Sequence, residues 1–108
     1  MDKLILDNIE PIRIVCKNHF VKSLYVFGSA VNNAMNEDSD IDFLYEIDLD
    51  HFTDWDKGEY DYVKNLDDIQ MKLQSILGRK IDLVKNKYFQ NKYLRTSIEQ
   101  SKTKIYGS

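Results

Sequence analysis

The run Leu24-Tyr25-Val26-Phe27 stops at Gly28-Ser29, and ten residues later Asp40-Ile41-Asp42-Phe43 opens a second apolar alternation. That pairing constrains the chain more than any other feature. β-Branched and aromatic residues favour a buried strand, and a glycine ends it where backbone can approach another group without a side chain in the way. In the second segment Ile41, Phe43 and Tyr45 alternate with Asp40, Asp42 and Leu44. This is the period of a strand, so Asp40 and Asp42 project from one face. A turn able to cradle phosphate, followed by two carboxylates on a common face, suits metal-dependent chemistry on a nucleoside triphosphate.

The remaining sequence reads as helices alternating with strands. Ile5, Ile9, Ile12, Cys16 and Phe20 recur at helical spacing, predicting a first helix that ends near Asn18 or His19. Pro11 places its start only loosely. A short helix is expected over 29–35, then a polar turn at Asn36-Glu37-Asp38-Ser39. The acidic, aromatic stretch from Leu49 to Glu59 reads as a surface loop. Leu66, Ile69, Leu73, Ile76 and Leu77 form the clearest amphipathic stripe, a helix stopped by Gly78. Lys80 to Val84 reads as a third strand, Tyr88 to Ile98 as a last helix, and Ile105-Tyr106 as a short terminal strand.

Length and composition narrow the classes. With 108 residues the chain is expected to be a single domain over 1–108, long enough to close one core. Its net charge of -3 gives no overall basic field, which disfavours a nucleic-acid partner. Cys16 has no second cysteine to pair with, so a reducing compartment fits. Neither a signal peptide nor a membrane-length apolar run is evident, and a cytoplasmic location without a membrane partner is expected.

Asp82 lies in a later apolar run, Ile81-Asp82-Leu83-Val84, on a strand that could neighbour the first carboxylate pair. Two magnesium ions, roughly 3.5–4 Å apart in enzymes of this kind, clamp the attacking and leaving oxygens of a phosphoryl centre, and carboxylates supply the oxygen ligands they prefer. Asp40 and Asp42 can both reach such a metal pair, and Asp82 could ligate one metal and accept the acceptor's proton. Gly28 admits the phosphates close to the backbone, and Ser29 can donate to the β- or γ-phosphate at a helix N-terminus. Asp-x-Asp alone is weak here, since it recurs at Asp38/Asp40, Asp48/Asp50 and Asp54/Asp56, where solvated turns and loops account for it.

Taken together, Gly28-Ser29-x10-Asp40-x-Asp42 with Asp82 following resembles the minimal nucleotidyltransferases of the DNA polymerase β superfamily. The surrounding words agree: Leu24 to Ala30, Asp38 to Phe43, and the ending Tyr93-Leu94-Arg95 through Ile105-Tyr106-Gly107. The resemblance implies an α/β (α+β) fold, a small mixed β-sheet backed by helices like the polymerase β palm. It implies ATP as donor with Mg2+, and transfer of AMP to a hydroxyl. Stand-alone domains of this kind commonly serve as antitoxins that adenylylate a tyrosine of a HEPN-type toxin protein, an all-helical ribonuclease. In that scheme Asp40, Asp42 and Asp82 are the catalytic and metal-binding residues, and Gly28 and Ser29 hold the triphosphate.

One position departs from the antibiotic-modifying relatives, which carry a basic residue after Gly-Ser where this chain has Ala30. Those relatives also hold the acceptor with a second domain, so here the acceptor is expected to be held largely by a protein partner. Two alternatives remain open: a small-molecule nucleotidyltransferase with a helper subunit, and a non-catalytic antitoxin acting by binding. Arg13 and His19 imitate the Arg-x5-His of the ribonucleases, but six residues turn a helix by about 600°, so they do not share a face. Cys16 reads as core packing and His51 as a loop residue. The aromatics Phe52, Trp55, Tyr60 and Tyr62 either roof the core or meet a partner. Tyr88, Phe89 and Tyr93 read as core. Lys80, Lys85 and Lys87 read as solubilising.

Overall fold

Pro11 sets the first boundary. In the computed structural model, which describes residues 2–28, 40–52, 58–85 and 102–107, helix α1 (Lys3–Leu6) is separate from α2 (Ile9–Asn18). The apolar spacing predicted one helix. Pro11 has no amide hydrogen for the carbonyl of Asp7, and its ring would strike that carbonyl in a continuous helix. The chain therefore turns at Asp7-Asn8, and α2 starts afresh with the Ile12 amide donating to the Asn8 carbonyl at 3.1 Å. Phe20 also departs from the predicted stripe. It lies beyond α2 with φ of 60°, a conformation that costs a non-glycine residue on the order of 1–3 kcal/mol. Its ring stacks on His51 at 4.2 Å instead of entering the core.

Strands β1 (Val21–Phe27), β2 (Ile41–Ile47), β3 (Ile81–Lys85) and β4 (Thr103–Gly107) form one sheet in the order β3-β2-β1-β4. β1 runs antiparallel to β2 and β4, whereas β2 and β3 are parallel. The mixed sheet backed by helices matches the expected fold. A parallel pair needs a crossover, and α3 (Gly58–Leu77) supplies it. This helix begins two turns earlier than its apolar stripe predicted. Tyr60 and Val63 in those turns face solvent, so the sequence there carries little periodic signal. Part of the stretch read as loop, Leu49–Phe52, is a 3-10 turn. Gly78, at φ of 63°, ends α3 as expected. The predicted short helix over 29–35, the turn at 36–39 and the last helix with Tyr88, Phe89 and Tyr93 lie outside the described residues, as does Trp55.

One face of the sheet meets the helices. Leu24 and Val26 of β1, Ile41, Phe43, Tyr45 and Ile47 of β2, Ile81 and Ile105 pack there with Ile5, Ile12, Cys16, Ile69, Leu73 and Leu77. Cys16 is core packing, as predicted. Leu44 alternates to the other face, yet is only 1% exposed. Of the loop aromatics, Phe52 and Tyr62 meet edge to face at 5.6 Å against the core, and Tyr60 is exposed. His51, also read as a loop residue, stands in the 3-10 turn with Nε2 3.5 Å from Asp48.

This arrangement predicts a sharp contrast on α3. Leu73→Ala, at a fully buried position, should cost about 2–5 kcal/mol. Met71→Ala, at a 66% exposed one, should change stability by less than about 0.5 kcal/mol. Denaturant unfolding of both variants checks it, and similar midpoints would contradict the packing.

Candidate active site

β1 ends, and β2 and β3 begin, at the same end of the sheet. There Phe27 pairs with Asp42, and Asp42 pairs with Asp82 across the parallel ladder. Adjacent strands lie about 4.8 Å apart, so the two aspartates stand side by side. Ile41 and Ile81 before them point into the helix-backed core, hence Asp42 and Asp82 point to the opposite face. Asp40 immediately precedes β2 and is exposed. The structure thus brings Asp40, Asp42 and Asp82 to one end of one face.

Gly28 closes this corner. Its φ is +76°, and a Cβ placed on it would stand 2.8 Å from Asp42 Oδ2. The backbone conformation favours glycine, and a side chain here would displace the Asp42 carboxylate oxygen. The sequence predicts Gly28 close to phosphate, and the structure sets Gly28 against the Asp42 carboxylate itself. Ser29 lies outside the described residues.

Burial, and after it the neighbouring charges of Asp82 and Asp40, push the Asp42 carboxyl above its ordinary range. Among the described residues no lysine or arginine forms an ion pair with these three aspartates. A carboxylate cluster with no counter-charge among the described residues is chemically suited to a divalent cation. The three do not close into an all-protein metal cage among the described residues. Magnesium keeps several waters and takes only one or two carboxylates beside substrate phosphates, so an open set of aspartates is compatible with it.

Two residues that sequence reasoning passed over hold Asp82 in place. β3 is an edge strand, and the outward backbone groups of Ile81 would otherwise lack ladder partners. Gln70 Nε2 donates to the Ile81 carbonyl at 3.0 Å, and the Ile81 amide donates to Gln74 Oε1 at 3.4 Å. On the other side the Ile41 amide donates to the Lys80 carbonyl at 2.9 Å. The available signal was two glutamines four apart beside the stripe of α3, an i,i+4 pair on one face. Elsewhere, burial pushes the Cys16 thiol up to about 12, which removes it as a nucleophile near neutral pH.

The family model described as "Nucleotidyltransferase domain" matches residues 10–105. A Methanocaldococcus jannaschii protein named "putative protein adenylyltransferase" is 35% identical over 88 residues, covering 82% of this chain and 80% of that protein. A second of the same name and organism is 34% identical over the same shares. Among solved structures, a "putative minimal nucleotidyltransferase" superposes with a TM-score of 0.71 at 22% identity, covering 95% of each chain. A toxin–antitoxin complex with AMP-PNP matches with a TM-score of 0.65 at 20% identity, over 94% of this chain and 74% of that one. These two likenesses show the fold.

The carboxylate cluster has a measurable cost. Since the fold raises the pKa of Asp42, its contribution to stability is present below the ordinary carboxylate range and lost as pH rises through the raised one. At neutral pH and without divalent metal, Asp42→Asn should therefore raise Tm, on the order of a few °C. A lower Tm would contradict the repulsion. Gly28→Ala should lower Tm, with a backbone cost of about 1–2 kcal/mol before the clash is counted, and an unchanged Tm would contradict the close approach.

Proposed function

This chain belongs to the nucleotidyltransferase domain family, and we propose that it transfers AMP from Mg-ATP to a tyrosine hydroxyl of a HEPN-type ribonuclease toxin, acting as its antitoxin. Nucleotidyl transfer is the activity of the family. The donor, metal, acceptor and partner are the proposal. The observation that carries it is Asp42 set beside Asp82 on parallel strands, with the Gly28 turn against its carboxylate.

Asp40 and Asp42 would hold divalent metal, with Asp82 ligating it from the neighbouring strand. When bound, magnesium supplies Lewis-acid stabilisation of charge developing at the α-phosphate. Asp82, exposed on the edge strand, is open to an incoming hydroxyl and would accept its proton. The acceptor oxygen bonds to the α-phosphorus, the bond to the bridging oxygen breaks, and pyrophosphate leaves. Gly28 stands beside Asp42, where the triphosphate would lie, and Ser29 would donate its hydroxyl to the phosphates.

The protein-directed reading is supported by the name of the Methanocaldococcus jannaschii relatives. The antitoxin role is supported by likeness to a chain from a toxin–antitoxin complex. Incubation with magnesium, α-labelled ATP and the protein encoded beside this chain's gene tests both. Label should appear on a tyrosine of the partner, and Asp42→Asn should reduce it on the order of 10²–10³-fold, as loss of electrostatic stabilisation at a reacting centre does. Tight binding without label would overturn the enzyme reading in favour of neutralisation by contact. Label on a metabolite alone would replace the protein acceptor with a small one.

A further inference from the structure

A groove of about 580 Å³ opens beside edge strand β4, lined by Arg13 of α2, Lys22 of β1, and Lys104 and Tyr106 of β4. Three cations share it in a chain whose net charge is -3. Arg13 is fixed there: its Nε donates to the Ile105 carbonyl at 3.0 Å, and Nη1 lies 3.3 Å from Glu10. Lys22 meets Glu46 at 3.8 Å, with both side chains largely in solvent. Exposed pairs of this kind are worth little, so a partner's carboxylates can displace them. Lys104 is exposed and has no ion-pair partner among the described residues.

Position separates this groove from the carboxylate site. Lys22 stands near the start of β1 and Gly107 pairs with Ser23, whereas Gly28 follows the other end of β1. At about 3.3 Å per residue, Lys22 and Gly28 are about 20 Å apart. An occupant of the groove would not compete with a triphosphate. Among the described residues β4 is the outer strand of the sheet, with Arg13 on the Ile105 carbonyl, and an extended chain can lie along such an edge.

We propose that this groove docks an extended acidic segment of the protein partner along β4. The inference rests on the reading that the partner is a protein. Three cations, two of them already near carboxylates, can meet a few acidic side chains. Nucleic-acid binding instead draws on many phosphate contacts and a broad basic surface.

Titration of the ¹⁵N-labelled chain with a synthetic Glu-Thr alternating peptide tests it, beside a Lys-Thr peptide and an oligouridylate. The acidic peptide should shift the amides of 104–107 and the Arg13 side chain, leaving Gly28 and Asp42 unmoved. The double variant Lys22→Glu/Lys104→Glu should weaken that binding about tenfold or more and flatten its salt dependence. Lys22→Gln/Lys104→Gln serves if the reversal disturbs the fold. Equal response to the Lys-Thr peptide, preference for the oligouridylate, or affinity unchanged in the variants would overturn the proposal.

With the partner itself, the variant should raise KM for the partner about tenfold and leave kcat unchanged. Unchanged KM alongside normal labelling would refute the groove. Peptide binding in the groove by a chain that never labels its partner would refute the transfer reading alone.

Discussion

Asp42 and Asp82 repel one another across adjacent parallel strands, and the surrounding structure keeps them together nonetheless. β2 carries Asp42 and sits between β1 and β3, so it cannot swing away from either neighbour. β1 delivers Gly28 against the same carboxylate, in a backbone conformation that favours glycine and so close that a side chain would displace the Asp42 oxygen. Carboxylates gathered at one end of the sheet, with no ion-pairing cation among the described residues, are the kind of arrangement found at functional sites.

The scaffold places its strength away from this corner. The helix-backed face holds the apolar core, so the carboxylate face need not contribute the same burial. α3 does two jobs. Its apolar stripe packs against β3 and α2, and its adjoining glutamines bond the outward backbone of β3 just before Asp82. A position held from both sides is less free to relax away from repulsion, which keeps Asp82 close to Asp42.

Much of this was legible in the sequence because it rests on short-range rules. The alternation of Ile41, Phe43 and Tyr45 put Asp40 and Asp42 on one face, and the glycine after Phe27 marked the turn. Cys16 was readable as core from its place in a stripe. Other features depend on contacts between distant segments. Nothing local states that β3 lies parallel to β2 with Asp82 beside Asp42, since register is settled by the packed sheet. The first two turns of α3 escaped notice because their side chains are mostly solvated. Phe20 was misplaced because its spacing fits a helix that has already ended, and its partner is His51, far along the chain. Pro11 was recognised as a constraint, but the break it causes falls four residues earlier, where its ring would meet a carbonyl.

If Gly28, Asp42 and Asp82 together form a divalent-metal and nucleotide site, bound metal must lie within reach of all three. Paramagnetic broadening by Mn2+, read residue by residue with a non-hydrolysable ATP analogue present, tests it most directly. Amide signals centred on Gly28, Asp42 and Asp82 should be lost, with recovery on adding excess magnesium and no loss in Asp42→Asn. Broadening centred elsewhere, such as the acidic turn at Asp48 and Asp50, or none at all, would contradict it.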